Sequence, residues 1–292
     1  MTKYPIVKVK TTDGLTLHGI LTEPVKPSKT ILVHLHGCGG NFYGNSYFEL
    51  LTNAVIDLGI AYLATNNRGS GVYELEEGTV PHGVSLEKFE DCVLDIDAWI
   101  EFARSLGYEN ILLEGHSYGT EKSVYYMNKG KNRDRVKGII LFSFSDNVGY
   151  QMKYEKEHRK NYMEEAKELM NKGEPHRLLH DLNAYCGEFP ISAQTYVTTF
   201  TEDSADAMAI PFRKGKDLVF FQNIRVPILG VISDNEDGEY TILPIKEAVE
   251  LLKSENKLAE AYIIEGTDHV FTGKEKELVD VVTDFLKRRI LM

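Results

Sequence analysis

The sequence predicts an α/β protein: a mostly parallel sheet with helices on both faces, interrupted by one helical insertion. Two observations predict it. Short apolar runs alternate with longer segments of helical period, the pattern of crossover connections between parallel strands. One long polar stretch, residues 143–222, breaks that alternation.

The elements follow in order. Residues 6–10 and 15–21 read as a hairpin joined through the Asp13-Gly14 turn signal. Candidate buried strands cover 30–35, 60–64, 111–114, 136–142, 228–232 and 261–264, and candidate helices cover 48–58, 86–105, 245–253 and 275–290. Within the interruption, Met152, Tyr162, Met163, Ala166, Leu169 and Met170 keep a helical spacing, with Gly173 placed as a C-cap. A structureless loop of that length is improbable in a compact domain. The expectation is therefore a core of residues 1–142 and 223–292, with residues 143–222 forming a helical cap over the carboxyl edge of the sheet.

Bulk properties exclude several roles. A chain of 292 residues buries roughly three quarters of its unfolded surface and needs no disulfide or metal to stay folded. Cys38, Cys92 and Cys186 are far apart and show no metal-ligand spacing, which points to a reducing compartment. The first residues lack the apolar run of a signal peptide, and no segment has about 18 consecutive apolar residues, so a cytoplasmic location is expected. A net charge of −11 argues against nucleic acid or an anionic membrane as partner, because the summed field repels phosphate. The basic cluster Lys287, Arg288 and Arg289 sits where cations complement the dipole at the end of the last helix.

The chemistry concentrates at Gly115-His116-Ser117-Tyr118-Gly119, which follows the apolar run Ile111-Leu112-Leu113 and precedes a segment able to be helical. This is the G-x-S-x-G elbow in its strand-to-helix context, with Ser117 the candidate nucleophile. Side chains at the two glycines would collide with the adjoining strand and helix. Upstream, His36-Gly37-Cys38-Gly39-Gly40 ends the strand at 30–35 and suits an oxyanion loop, whose donors would be the backbone amides of Cys38 and Tyr118. Cys38 has a rival reading as a reactive thiol, but no histidine is placed to activate it.

Hydrolases built on such an elbow order their triad as serine, acid, histidine. His269, in the segment Gly266-Thr267-Asp268-His269-Val270-Phe271 after the last strand, is the candidate base. The acid belongs in the loop after the strand at 228–232, where Asp234, Glu236, Asp237 and Glu239 compete. Asp237 is favoured because Gly238 suggests a turn that aims it inward, with Asp234 and Glu236 as alternatives. The remaining histidines carry no catalytic expectation: His116 is inside the elbow, His36 supports the oxyanion loop, and the rest read as surface or cap residues.

Taken together, His36 to Tyr43, Asn66-Asn67-Arg68-Gly69, the elbow, Phe189-Pro190-Ile191-Ser192-Ala193 and Gly266 to Phe271 resemble the α/β-hydrolase superfamily over nearly the whole chain. More loosely, the chain is similar to the branch containing siderophore esterases and uncharacterised bacterial hydrolases. The resemblance implies cleavage of a small-molecule ester, or a related acyl bond, through an acyl-serine intermediate, with no cofactor and no metal. It carries Ser117 and His269 over directly. Family members commonly place the acid about nine residues after the strand's leading proline. Nine from Pro227 is Glu236, one residue short of Asp237.

Two alternatives stay open: the same triad acting on an amide, thioester or carbon–carbon bond, and a non-catalytic ligand-binding protein on the same scaffold. Oligomeric state is open as well, with a homodimer among the options. The aromatic residues Tyr185, Phe189, Tyr196, Phe200, Phe212, Phe220 and Phe221 either line a pocket or form the cap's own core.

Overall fold

The computed structural model describes residues 5–75, 80–235 and 237–291. Eight strands form one sheet: β1 (Ile6–Lys10), β2 (Thr16–Thr22), β3 (Thr30–Leu35), β4 (Ala61–Thr65), β5 (Asn110–His116), β6 (Val136–Phe142), β7 (Ile228–Ser233) and β8 (Ala259–Ile264). Their spatial order is β1-β2-β4-β3-β5-β6-β7-β8, with β1 and β2 antiparallel and the six from β4 to β8 mutually parallel. The expected α/β class and parallel sheet are borne out. The central strands β4 and β7 are buried at every position, which is why they read as unbroken apolar runs.

Because successive side chains point to opposite faces, each strand feeds two cores. Ile31, Val33, Ile111, Leu113, Ile139 and Leu141 point to one face, packed under α2 (Cys92–Ser105), α3 (Tyr118–Lys129) and α9 (Ile245–Glu255). Leu32, Leu112, Ile140 and Leu229 point to the other, under α1 (Phe48–Asp57) and α10 (Glu275–Arg289). One predicted helix is shorter than its periodicity suggests: within 86–105 a single 3₁₀ turn at Phe89–Asp91 precedes α2. Lys88 is extended, and Glu87 turns inward to pair with Lys122 instead of joining a helical face.

Between β6 and β7 lie α4 (Asn147–His158), α5 (Met163–Asn171), α6 (Ala193–Thr199), α7 (Ala205–Ala209) and α8 (Val219–Gln222). Gly173 follows α5 in the left-handed conformation expected of a C-cap. The insertion divides in two by its packing. Val148, Tyr162, Leu169, Tyr185, Tyr196 and Phe200 make a core of their own, whereas Ile210, Phe212, Leu218 and Phe221 join the principal core beneath the sheet. Its first part is stitched to the body by Ser192 N–H donating to Ser85 O at 2.8 Å and Ser85 Oγ donating to Pro190 O at 2.7 Å. Among the described residues no helix is long and apolar enough to cross a membrane.

Candidate active site

Ser117 occupies the sharp turn from β5 into α3 with φ 54° and ψ −125°, a region that costs a side chain of order 1–3 kcal/mol and recurs at functional sites. The flanking glycines make the turn sterically feasible. A Cβ on Gly115 would lie 2.2 Å from Gly119 O, and one on Gly119 would lie 2.1 Å from Leu35 O. Ser117 N–H donates to Phe142 O at 2.9 Å, and its carbonyl accepts from Thr120 N–H and Thr120 Oγ1 at 2.8 and 2.6 Å. Tyr118 opens α3, so its N–H has no partner within the helix and the positive end of the helix dipole lies at Ser117.

β3 and β5 are neighbours with Leu35 opposite Gly115, so the loop leaving β3 runs beside the elbow. The contact is close: a Cβ on Gly37 would sit 2.8 Å from Ser117 Cβ. His36 is fully buried and its tautomer follows from its partners. Its Nε2 accepts from Asn67 N–H at 3.0 Å, and its Nδ1 donates to Gly37 O at 2.7 Å. Burial, aided by the charge of Lys122, holds His36 well below the ordinary histidine range and therefore neutral. Cys38 Sγ contacts Tyr185 Oη at 3.1 Å and Asn147 Nδ2 at 3.4 Å. Burial pushes its thiol up to about 12, so Cys38 is a protonated packing group here and the reactive-thiol reading lacks a thiolate.

His269 lies in a turn after β8 held by Asp268, whose Oδ1 accepts from Val270 N–H at 3.1 Å and Thr272 N–H at 2.9 Å. Two residues on, Phe271 anchors the turn in the core against Tyr47 and Phe142. The His269 carbonyl accepts from His116 Nε2 at 2.9 Å and Ser143 Oγ at 2.8 Å. The His269 ring packs between those of His116 and Tyr240, with centroids 4.9 and 4.8 Å away. Burial, with His269 adding to it, lowers His116 to about 3, so it stays neutral. Donating to a carbonyl requires its proton on Nε2. The elbow's own histidine thus fixes the loop that carries the candidate base, a role its sequence position does not announce.

Asp237 Oδ1 accepts from Ile245 N–H at 2.6 Å, at the start of α9. Asp234 Oδ1 accepts from Gly266 N–H at 2.7 Å, tying the loop after β7 to the one after β8. Glu236 lies outside the described residues.

Ser117, His116 and His269 line one cavity of about 250 Å³ together with His36, Gly37, Cys38 and Gly40 from the loop after β3. The insertion supplies Asn147, Tyr150, Tyr185, Cys186, Glu188 and Phe189. Of the seven aromatics singled out in the sequence, Tyr185 and Phe189 reach this cavity, Tyr196 and Phe200 fill the insertion's core, Phe212 and Phe221 belong to the principal one, and Phe220 packs against its edge.

Solved structures share the architecture. Est1E from Butyrivibrio proteoclasticus is 17% identical with a TM-score of 0.68, covering 99% of this chain and 100% of its own. The Pyrococcus furiosus esterase Pf2001 is 16% identical with a TM-score of 0.64, covering 99% and 91%. GrgF, an α/β hydrolase from Penicillium sp. sh18, is 16% identical with a TM-score of 0.64, covering 98% and 99%. These likenesses establish the α/β-hydrolase fold that the motifs resemble. No curated protein matches the chain by sequence. A family model described as a protein of unknown function, DUF1749, matches residues 25–287, and the chain belongs to that family.

Proposed function

We propose that this protein is a serine hydrolase that cleaves a carboxylic ester of a small molecule through an acyl-serine intermediate. The observation that carries the proposal is the placement of Ser117: strained into the left-handed region at a helix start, pressed against Gly37, and lining one cavity with His269. In this reading His269 takes the Ser117 proton as Oγ attacks the carbonyl. The amides of Cys38 and Tyr118 hold the oxyanion, and His269 protonates the departing alcohol. Water, activated by the same histidine, then releases the acid and restores Ser117.

The acid that orients His269 is assigned to the loop after β7, among Asp234, Glu236 and Asp237. Asp234 and Asp237 each hold a backbone N–H, so their conservative replacements separate structural from catalytic duty. Residues 143–222 act as the cap, and a cavity of about 250 Å³, just under the roughly 300–1,000 Å³ usual for ligand pockets, suits a small enclosed acyl or alcohol group.

Turnover of short p-nitrophenyl esters tests the proposal. Ser117→Ala and His269→Ala are each expected to lose activity by about 10⁴-fold or more while keeping the fold. Among Asp234→Asn, Glu236→Gln and Asp237→Asn, one is expected to lose about 10⁴-fold and the others to stay within about tenfold. Full turnover by Ser117→Ala would refute the reading. A panel of matched ester, amide and thioester substrates ranks the bond, with the ester expected first.

A further inference from the structure

Lys122 is a buried cation that the proposed mechanism leaves unused. It lies on α3, one turn beyond the elbow, with its Nζ 2.6 Å from Glu87 Oε1 and both side chains almost wholly excluded from solvent. Its Nζ also donates to Asn67 Oδ1 at 3.1 Å and lies 4.7 Å from the centre of the Tyr118 ring. The space for Glu87 is made by Gly69, where a Cβ would come within 2.1 Å of Glu87 Oε2.

Asn67 passes this anchor on to the loop after β3. Its Oδ1 also accepts from Gly69 N–H at 3.1 Å, its Nδ2 donates to His36 O at 3.2 Å, and its own N–H donates to His36 Nε2. That last bond requires a lone pair on Nε2 and so places the His36 proton on Nδ1, which holds Gly37 O. Gly37 C=O and Cys38 N–H belong to one peptide unit, trans and close to planar, so fixing the oxygen also aims the N–H in the opposite direction.

We infer that Lys122, paired with Glu87, is a positioning residue of the oxyanion hole, acting through Asn67 and His36 to set the plane of the Gly37–Cys38 peptide. This rests on the hydrolase reading, since it assigns the Cys38 amide to the oxyanion. The chain of contacts has a single polarity: the other His36 tautomer would point Nε2–H at Asn67 N–H and a lone pair at Gly37 O, and both bonds would be lost. Protonation of His36 would also abolish the Asn67 bond, and the nearby ammonium opposes that protonation.

The test is the Lys122→Met/Glu87→Leu double variant. It removes both charges together and fills their volume with apolar groups, an exchange that folds tolerate. Two quantities are read. Ring ¹⁵N resonances of His36, recorded without substrate, report its tautomer; kcat and KM on p-nitrophenyl acetate report the oxyanion hole. In the wild type His36 is expected neutral with the proton on Nδ1 from pH 5 to 9. In the double variant a mixture of tautomers is expected, with imidazolium growing toward pH 5. A kcat lowered about 10–100-fold at a KM within twofold is expected with it, part of the roughly 100-fold or greater cost of losing an oxyanion donor outright.

Retention of the pure Nδ1–H form, or a kcat within threefold of wild type, overturns the inference. Should the double variant not fold, Asn67→Ala carries the kcat half of the test, because it removes the side-chain contacts to Lys122, Gly69 N–H and His36 O while leaving Lys122 paired with Glu87. A kcat within threefold there overturns the inference equally. The resonances need no turnover, so a wild type inert toward esters would refute the hydrolase reading and still leave the His36 relay separately measurable.

Discussion

Glu121 and Lys122 are consecutive, both buried, and lie on two sides of α3 that handle charge in opposite ways. On the Lys122 side the buried charges are balanced: Lys122 meets Glu87 and the neighbouring Arg68 meets Asp95 at 2.8 Å, while the solvent-accessible Asp13 and Asp91 lie 3.1 and 3.4 Å from Arg68. On the Glu121 side, carboxylates outnumber cations. Glu121 accepts from Asn147 N–H at 2.6 Å, Asp206 accepts from Tyr118 Oη at 3.2 Å, and Asp146 pairs with Arg213 at 2.9 Å. Burial drives Glu121 and Asp206 well above the carboxylate range, each pushed further by a neighbouring acid, and raises Asp146 to about 6. The balanced side faces the loop after β3 and locks it in one state. The acid-rich side faces the insertion and has to hold protons to stay buried.

The largest effect that would break this contrast is loss of one partner on the balanced side. Lys122→Met alone leaves Glu87 buried and uncompensated, and is expected to lower unfolding free energy in urea by about 3–5 kcal/mol, unlike the double variant above. A loss under about 1 kcal/mol would mean that the pair is not structurally closed.

Next comes the acid-rich side, where the sign follows from the raised folded-state values. The folded protein binds more protons than the unfolded chain between the ordinary carboxylate pKa near 4 and the folded value, about 6 for Asp146. These groups therefore give their full support at low pH, and that support drains as pH rises through this window. Asp206→Asn keeps an acceptor for Tyr118 Oη without the charge. It is expected to raise stability at pH 7.5 by about 1–3 kcal/mol, with the gain falling away below about pH 3.5. A variant that is less stable at both pH values contradicts the protonated cluster.

The smallest expected effect concerns the loop after β3, whose proposed part in the chemistry falls to main chain. Cys38→Ala removes the thiol contact with Tyr185 but leaves the backbone amide, so ester turnover is expected within about threefold of wild type. A loss beyond about tenfold would make the thiol itself part of the chemistry.

What the sequence displayed and what it hid divide along the same line. Strands buried on both faces write themselves as apolar runs, so β3 and β6 are legible to the residue and the elbow is legible through its two glycines. The candidate base His269 is legible because it follows the last apolar strand pattern by a few residues. Single-sequence patterns do not encode partners brought together over long range. Glu87 reads as one more residue in a helical stretch, and only the fold shows it turned inward to Lys122. His116 reads as the variable position of the elbow, yet it holds the His269 carbonyl. The second half of the insertion follows the same rule. Phe212, in the loop after α7, and Phe221, in α8, join the principal core because α7 and α8 fold back along α3, which spacing alone does not reveal.

Ser117 is the centre of the proposed chemistry, and the measurement that reaches it is mass-spectrometric mapping of the adduct formed with a fluorophosphonate probe. The expected result is one adduct per chain, on Ser117 within the Asn110–His116 to α3 connection, and none on Ser117→Ala. An adduct on any other residue, or labelling that persists in Ser117→Ala, would contradict the assignment of this serine as the nucleophile.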